Sequence, residues 1–440
     1  MKPPFIITAC VAALVAASSP AAAQAPRAER PYRGLFGGGV GDVEQSLVWN
    51  ESTGAGYDDN VLAEEGLGND PRRAQAGNFG SFSSGLSYSY NRPRVTGSLS
   101  GSMSGRYRPN SDDDFYAGYG GAARISFGLW QGARFTGSQS IGYQPYFVFD
   151  LAPSLEVDAL NEPVVPVIDD PGFAGVIGDD YLSYNTRLSL SQKVSRRGSL
   201  GFSFHQQVSD FSSAREDYTT RGGGAGYSHS IGKGLALRIG YGYSESGSDA
   251  VTGDPIRVHS IDAGVNFNRA LSFSRRTTLS FSSGSAGVAD ASRTRYHITG
   301  GAQLRHELGR TWSAAAGYSR NVQFVDALRR PVLSDGAALS LGGLINRRVQ
   351  FDSNAGVSFA HSGTSGNREF DTYLATAGIS YAITRYVSLG VNYSYYRYKF
   401  AEGAVLPQGF STEMDRQGIR ASLSLWAPIF QRARRPDAAR

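Results

Sequence analysis

Along most of this chain, apolar and small polar residues alternate one by one in stretches of a dozen or so positions. Leu235, Leu237, Ile239, Tyr241 and Tyr243 fall on one face of such a stretch, opposite Ala236, Arg238, Gly240, Gly242 and Ser244. Ile261, Ala263, Val265 and Phe267 oppose Asp262, Gly264, Asn266 and Asn268 in the same way, as Leu389, Val391, Tyr393 and Tyr395 oppose Ser388, Gly390, Asn392 and Ser394. A period of two is the period of a β-strand. Eight short turns, each with a Lys or Arg, join these stretches in pairs: Asn91-Arg92-Pro93-Arg94, Gln131-Gly132-Ala133-Arg134, Arg196-Arg197-Gly198, Gly232-Lys233-Gly234, Ser274-Arg275-Arg276, Gly309-Arg310, Asn346-Arg347-Arg348 and Thr384-Arg385. The connections between pairs are longer and rich in Asp, Gly, Ser and Pro.

The pattern predicts a first strand over 41–56, then the hairpins 78–91 with 94–108, 115–130 with 133–147, 180–195 with 199–213, and 217–231 with 235–248. The series continues with 257–272 and 277–289, 292–308 and 311–325, 335–346 and 348–361, 367–383 and 386–400, and a last strand over 411–430. Short turns at one end and long loops at the other are the mark of an outer-membrane barrel. The expected fold is all-β, a transmembrane antiparallel up-and-down barrel of about 18 strands (16–18). By that rule the basic turns are periplasmic and both termini lie on their side.

In such a barrel the apolar face meets lipid, where a mid-membrane charge costs about 2–4 kcal/mol. Arg187, Arg238, Asp262, Asp352 and Arg420, all on polar faces, are therefore expected to face the lumen. Tyr396, Tyr398 and Phe400 share that parity near the outer rim, where their rings would either stack on sugars or anchor the interface. Trp130, Trp312 and Trp426 fall near the short-turn end. Phe115, Tyr116, Phe147, Tyr181, Phe211, Tyr218, Phe324 and Phe370 fall near the other, as two aromatic girdles would require.

Composition agrees with a one-sided apolar sheet. Hydrophobic residues make up 40% of the chain and the mean hydropathy is −0.29, too polar for a bundle of membrane helices. The 55 glycines alone would suit disorder, but 24 Tyr and 23 Phe in regular segments oppose it. The domain plan has four parts: a secretory signal over 1–23, a periplasmic lead-in over 24–40, the barrel over 41–430 and a tail over 431–440. In the signal, Lys2 precedes an apolar run from Phe5 to Ala17, and Ala21-Ala22-Ala23 offers the cleavage site. Ile7-Thr8-Ala9-Cys10 matches a lipoprotein site only superficially, since three apolar residues do not make an h-region. Cleavage after Ala23 would remove the single cysteine and lower the formal charge from +5 to +4, too mild to imply nucleic acid.

The chemistry-bearing residues point away from catalysis. His205, His229, His259, His297, His306 and His361 show no metal-ligand spacing, and Gly222-Gly223-Gly224 lies in a predicted strand, not before a helix. No enzyme, cofactor or metal is expected. Arg134, Arg197, Lys233, Arg276, Arg310, Arg348 and Arg385 would ring the periplasmic mouth, either drawing in anionic solutes or solvating the turns beside lipid phosphates. The long loops carry Asp112-Asp113-Asp114, Asp169-Asp170, Asp179-Asp180, Glu216-Asp217, Asp249 and Asp254. Such acids either bridge divalent cations to lipopolysaccharide or are simply solvated. Loop 148–179, with Pro153, Pro163, Pro166 and Pro171, is long enough to act as a lid, a surface domain or a lumen plug.

The leader, the lead-in, a first strand closing on Tyr57-Asp58-Asp59-Asn60 and hairpins to the C-terminus together resemble the β-barrel porin 2 family of Gram-negative bacteria. The resemblance spans nearly all of the mature chain. It implies a final outer-membrane conduit for exopolysaccharide, with the polymer and a periplasmic export assembly as partners. It assigns no catalytic role to Tyr57, Asp58, Asp59 or Asn60. One departure is that Phe430 is followed by ten more residues, where such barrels end on an aromatic that the barrel-insertion machinery reads. The sequence thus leads to an outer-membrane channel for exopolysaccharide, with a general diffusion porin and a non-conducting scaffold as alternatives.

Overall fold

The computed structural model describes residues 43–60, 76–109, 115–144, 147–149, 175–177, 180–212, 217–248, 255–271, 274–289, 294–325, 330–362, 367–402 and 412–433. The leader, the lead-in, most of loop 148–179, most of the loop acids and the end of the tail lie outside them.

The strands are β1 (Val43–Asp58), β2 (Gly77–Asn91), β3 (Val95–Tyr107), β4 (Phe115–Gly128), β5 (Ala133–Gln144), β6 (Phe147–Phe149), β7 (Gly175–Ile177), β8 (Tyr181–Lys193), β9 (Gly198–Phe211) and β10 (Tyr218–Gly232). They continue as β11 (Leu235–Ser248), β12 (Ile256–Leu271), β13 (Ser274–Ala289), β14 (Thr294–Leu308), β15 (Trp312–Val325), β16 (Arg330–Leu344), β17 (Val349–Ser362), β18 (Arg368–Ala382), β19 (Val387–Phe400) and β20 (Glu413–Ala433). Eighteen of them form one antiparallel sheet, and β6 and β7 pair separately as a small hairpin. Each barrel strand pairs with its neighbour in the chain, β5 pairing with β8 across that hairpin. The sheet closes where β1 pairs with β20, from Val43 opposite Ala433 to Asp58 opposite Gly418. The fold is a transmembrane up-and-down barrel of 18 strands, and among the described residues there is no helix. The expected strands recur with ends shifted by a few residues. The largest shift is β16, which begins at Arg330 instead of 335; β5 ends at Gln144 instead of 147, β13 begins at Ser274 instead of 277, and β20 runs to Ala433 instead of 430. The β6–β7 hairpin was not expected.

The short turns show why the chain reverses where it does. Gly132, Gly234 and Gly309 take φ of 85°, 79° and 74°, a left-handed conformation that side chains rarely adopt. A Cβ on Gly234 would lie 2.2 Å from the Asn268 carbonyl oxygen, so this site tolerates no other residue without movement. Three other turns use a side chain that accepts backbone N–H groups. Ser195 Oγ accepts from Arg197 (3.2 Å) and Gly198 (2.8 Å), Asn346 Oδ1 from Arg348 (2.8 Å) and Val349 (2.9 Å), and Thr384 Oγ1 from Tyr386 (3.1 Å) and Val387 (3.0 Å). Apart from the half-buried Arg134, the Lys and Arg of these turns are exposed.

The two faces of each strand differ as the alternation requires. On β19 Leu389, Val391 and Tyr393 are 46%, 44% and 40% exposed, while Ser388 between turn and strand centre is buried. Glu51 departs from the rule, lying on the exposed side of β1 between Trp49 and Thr53. The girdles also differ from expectation. Trp130 is exposed, but Trp426 is buried and stacked on Tyr386 at 6.5 Å. Phe211, Tyr218 and Phe370 at the long-loop end are buried too. Position along the strand placed these rings near a rim, but their parity turns them away from lipid. Exposed rings there include Tyr57, Tyr107, Phe115, Tyr119 and Tyr296.

Candidate functional site

A cavity of about 460 Å³ lies against eight neighbouring strands, touching Ser52 on β1, Ser104 on β3, Asp352 on β17, Ser380 on β18, Asn392 on β19 and Arg420 on β20. Eight strands abreast span roughly 34 Å of sheet. They can share one cavity only across the concave side, so this is the inner wall of the barrel. Serine hydroxyls dominate it. A second cavity, of about 610 Å³, is lined by Leu279, Ala302, Leu304, Tyr318, Leu339 and Val357 on the exposed apolar face. Its walls match lipid tails and not a hydrated solute.

The register brings part of the polar wall into one row. Asp352 is opposite Gly378, Gly378 opposite Asn392, Asn392 opposite Arg420, and Arg420 opposite Gly56. Glycine is what makes room in this row. A Cβ on Gly378 would lie 2.2 Å from Asn392 Oδ1 and 3.0 Å from Asp352 Oδ2, so both acceptors lean over the bare backbone. A Cβ on Gly54 would lie 3.2 Å from Arg420 Nε.

At the long-loop end the Tyr57–Asn60 segment closes the barrel, and each residue does so differently. Tyr57 is exposed, while Asp58 turns inward and is fully buried. Arg416 of β20 donates to Asp58 Oδ2 from Nε (3.0 Å) and from Nη2 (2.6 Å). Arg106 of β3 reaches over β2 and donates from Nη2 to the same oxygen at 3.0 Å. Both guanidinium groups are buried, and that of Arg106 lies 4.0 Å from the Phe79 ring centre. Asp59 exchanges two bonds with Gln417: its N–H donates to the carbonyl (3.0 Å) and its Oδ1 accepts the Gln417 N–H (2.8 Å). Asn60 N–H donates to Asp58 Oδ1 at 3.0 Å. The first and last strands are thus joined by a buried ion pair whose partners come from β1, β3 and β20. Beside it, Arg108 is buried 4.2 Å from the Tyr116 ring centre.

The expected lumen residues are placed as follows. Asp352 and Arg420 border the same cavity. Arg187 on β8 is exposed, with the parity of Asn185 and Ser189. Arg238 on β11 reaches β13, where Nη2 donates to the Ser283 carbonyl at 3.5 Å. Asp262 lies on β12 opposite Gly240, and its side chain is outside the described set. Tyr396 and Tyr398 have the inward parity but are 0% and 3% exposed. They pack edge to face with each other at 6.1 Å, Tyr398 packs on Phe400 at 5.5 Å, and Phe400 on Phe370 at 5.5 Å. Their ring faces are taken up by one another, so of the two roles weighed for this pair, stacking on sugars does not fit the packing. Of the basic set, Arg197, Lys233, Arg310, Arg348 and Arg385 lie in short turns, whereas Arg134 and Arg276 are already within β5 and β13. Arg106, Arg108 and Arg416 were not singled out from sequence. Parity held a signal for Arg416, which is four residues from Arg420 on the same face of β20.

No family model matches this chain, and no curated protein is similar to it. Solved structures are similar to it at low identity. Pseudomonas aeruginosa OccK2 (OpdF) in complex with glucuronate is 11% identical, with a TM-score of 0.46 over 88% of this chain and 99% of that one. Pseudomonas aeruginosa OpdQ is 13% identical (TM-score 0.45, 88% and 98% covered), and Acinetobacter baumannii OccAB1 is 12% identical (TM-score 0.43, 90% and 100% covered).

Proposed function

We propose that this protein is an outer-membrane channel through which small hydrophilic solutes diffuse. The observation that carries the reading is the contrast between the two faces of one closed sheet: exposed Leu, Ile, Val and Tyr outside, and a cavity walled by Ser, Asn, Asp and Arg inside. Barrels of 16–18 strands are wide enough to enclose water, whereas eight-stranded barrels are filled by side chains. A surface scaffold would need no hydroxyl-lined interior. In this reading the short turns face the periplasm and the Tyr57–Asn60 end faces outward, beside lipopolysaccharide.

Export of exopolysaccharide has less support. It rests on the resemblance of the chain's organisation and its Tyr57–Asn60 segment, and in the structure that segment closes the barrel seam. The inner aromatics that suited a polymer, Tyr396 and Tyr398, are buried. The test is swelling of proteoliposomes in isotonic solutes of increasing size, paired with surface polymer measured in a deletion strain. Entry of mono- and disaccharides with unchanged polymer is the expected result. Loss of polymer that complementation restores, without swelling, would favour the export conduit.

A further inference from the structure

We propose that the Asp352–Asn392–Arg420 row of the inner wall is a binding subsite for a neutral saccharide of one or two rings. The inference rests on the channel reading and deepens it.

Three features of the row lead there. The first is reach: Asp352 and Arg420 are three strand spacings apart, roughly 14 Å. The cavity above them, about 460 Å³, falls in the range of small-ligand sites, roughly 300–1,000 Å³. The second is the kind of group presented. Serines from six strands, among them Ser52, Ser104, Ser380, Ser388 and Ser422, border the cavity with the Asn392 amide. Each hydroxyl both donates and accepts, and an amide offers one of each, which is the inventory a ring of vicinal hydroxyls needs. Over Gly378 the Asn392 and Asp352 acceptors sit side by side, as two adjacent donors on a sugar require. The third is charge. Arg106 also borders the cavity, but its guanidinium is held by Asp58. Asp58 is shared with Arg416, so the balance is that of the row itself, where Asp352 and Arg420 carry opposite charges. A row of this balance favours neither anions nor cations, while its charged groups make the stronger hydrogen bonds to a neutral ligand.

Single channels in planar bilayers supply the test, with maltose as the probe and glutamate and lysine as charged comparators. Maltose is expected to interrupt the current with a saturable concentration dependence, and neither comparator to do so at equal concentration. Asp352→Asn and Asn392→Leu should each raise the half-blocking concentration about tenfold, equivalent to roughly 1.4 kcal/mol, while conductance in salt alone persists. Retained conductance and heat-dependent gel mobility show that each variant is folded. Blockade that is linear in maltose, unchanged in both variants, or matched by glutamate or lysine would overturn the subsite and leave the channel standing. A wild-type protein with no conductance would instead overturn the channel reading on which the subsite depends.

Discussion

Asp58 is the residue on which most depends. Its carboxylate is fully buried and is shared by Arg416 and Arg106, so removing it takes one anion from two buried guanidinium groups. Breaking a buried pair in this way costs about 3–5 kcal/mol. Asp58→Ala should therefore lower stability to urea in detergent by that amount. Asp59→Ala, which removes one exposed hydrogen bond to Gln417, should cost about 1 kcal/mol. Equal losses in the two variants would refute the seam account. Gly378→Ala makes a second residue-scale case. The new methyl group collides with Asn392 Oδ1, so the amide must leave its place beside Asp352. Since only side-chain ends must swing aside into the cavity, stability should change by less than about 1 kcal/mol, and calorimetry in detergent would measure it. From sequence, the Tyr57–Asn60 segment stood out but its task did not. An aspartate at a strand end looks the same whether it meets solvent or two arginines, one of them on the last strand of the chain.

At the scale of the strand, parity decides everything. Leu339 on β16 is 62% exposed on the apolar face, and Ser340 is on the other. Leu339→Arg should destabilise folding into lipid bilayers by about 2–4 kcal/mol, while Ser340→Arg is tolerated within about 1 kcal/mol. Equal costs would mean that the outer face of β16 is not in lipid. Strands were legible in the sequence because each alternates between lipid and an inner wall of small polar groups, and because turn glycines and the Asn and Ser/Thr acceptors punctuate them. The girdles were read less well: Trp426 and Phe370 were assigned by distance from a turn, whereas burial follows the face. The bulge at the seam adds to this. Pairing moves from Leu47 opposite Phe430 to Val48 opposite Pro428, and a proline without an N–H belongs at such a point.

For the whole molecule, closure is what turns local patterns into a function. Eighteen strands with 17 short-range pairings would remain an open sheet without β1 and β20, and an open edge cannot lie in lipid. Architecture was legible because an even rhythm of short turns and long loops has few other solutions. Which polar residues meet was not, since the row from Asp352 to Arg420 depends on register between strands. The central claim is that water fills the interior from end to end, and single-channel recording in planar bilayers tests it most directly. The account predicts discrete, ohmic conductance steps in potassium chloride from the purified, folded protein. A folded barrel that inserts and gives no steps would contradict it and leave a scaffold.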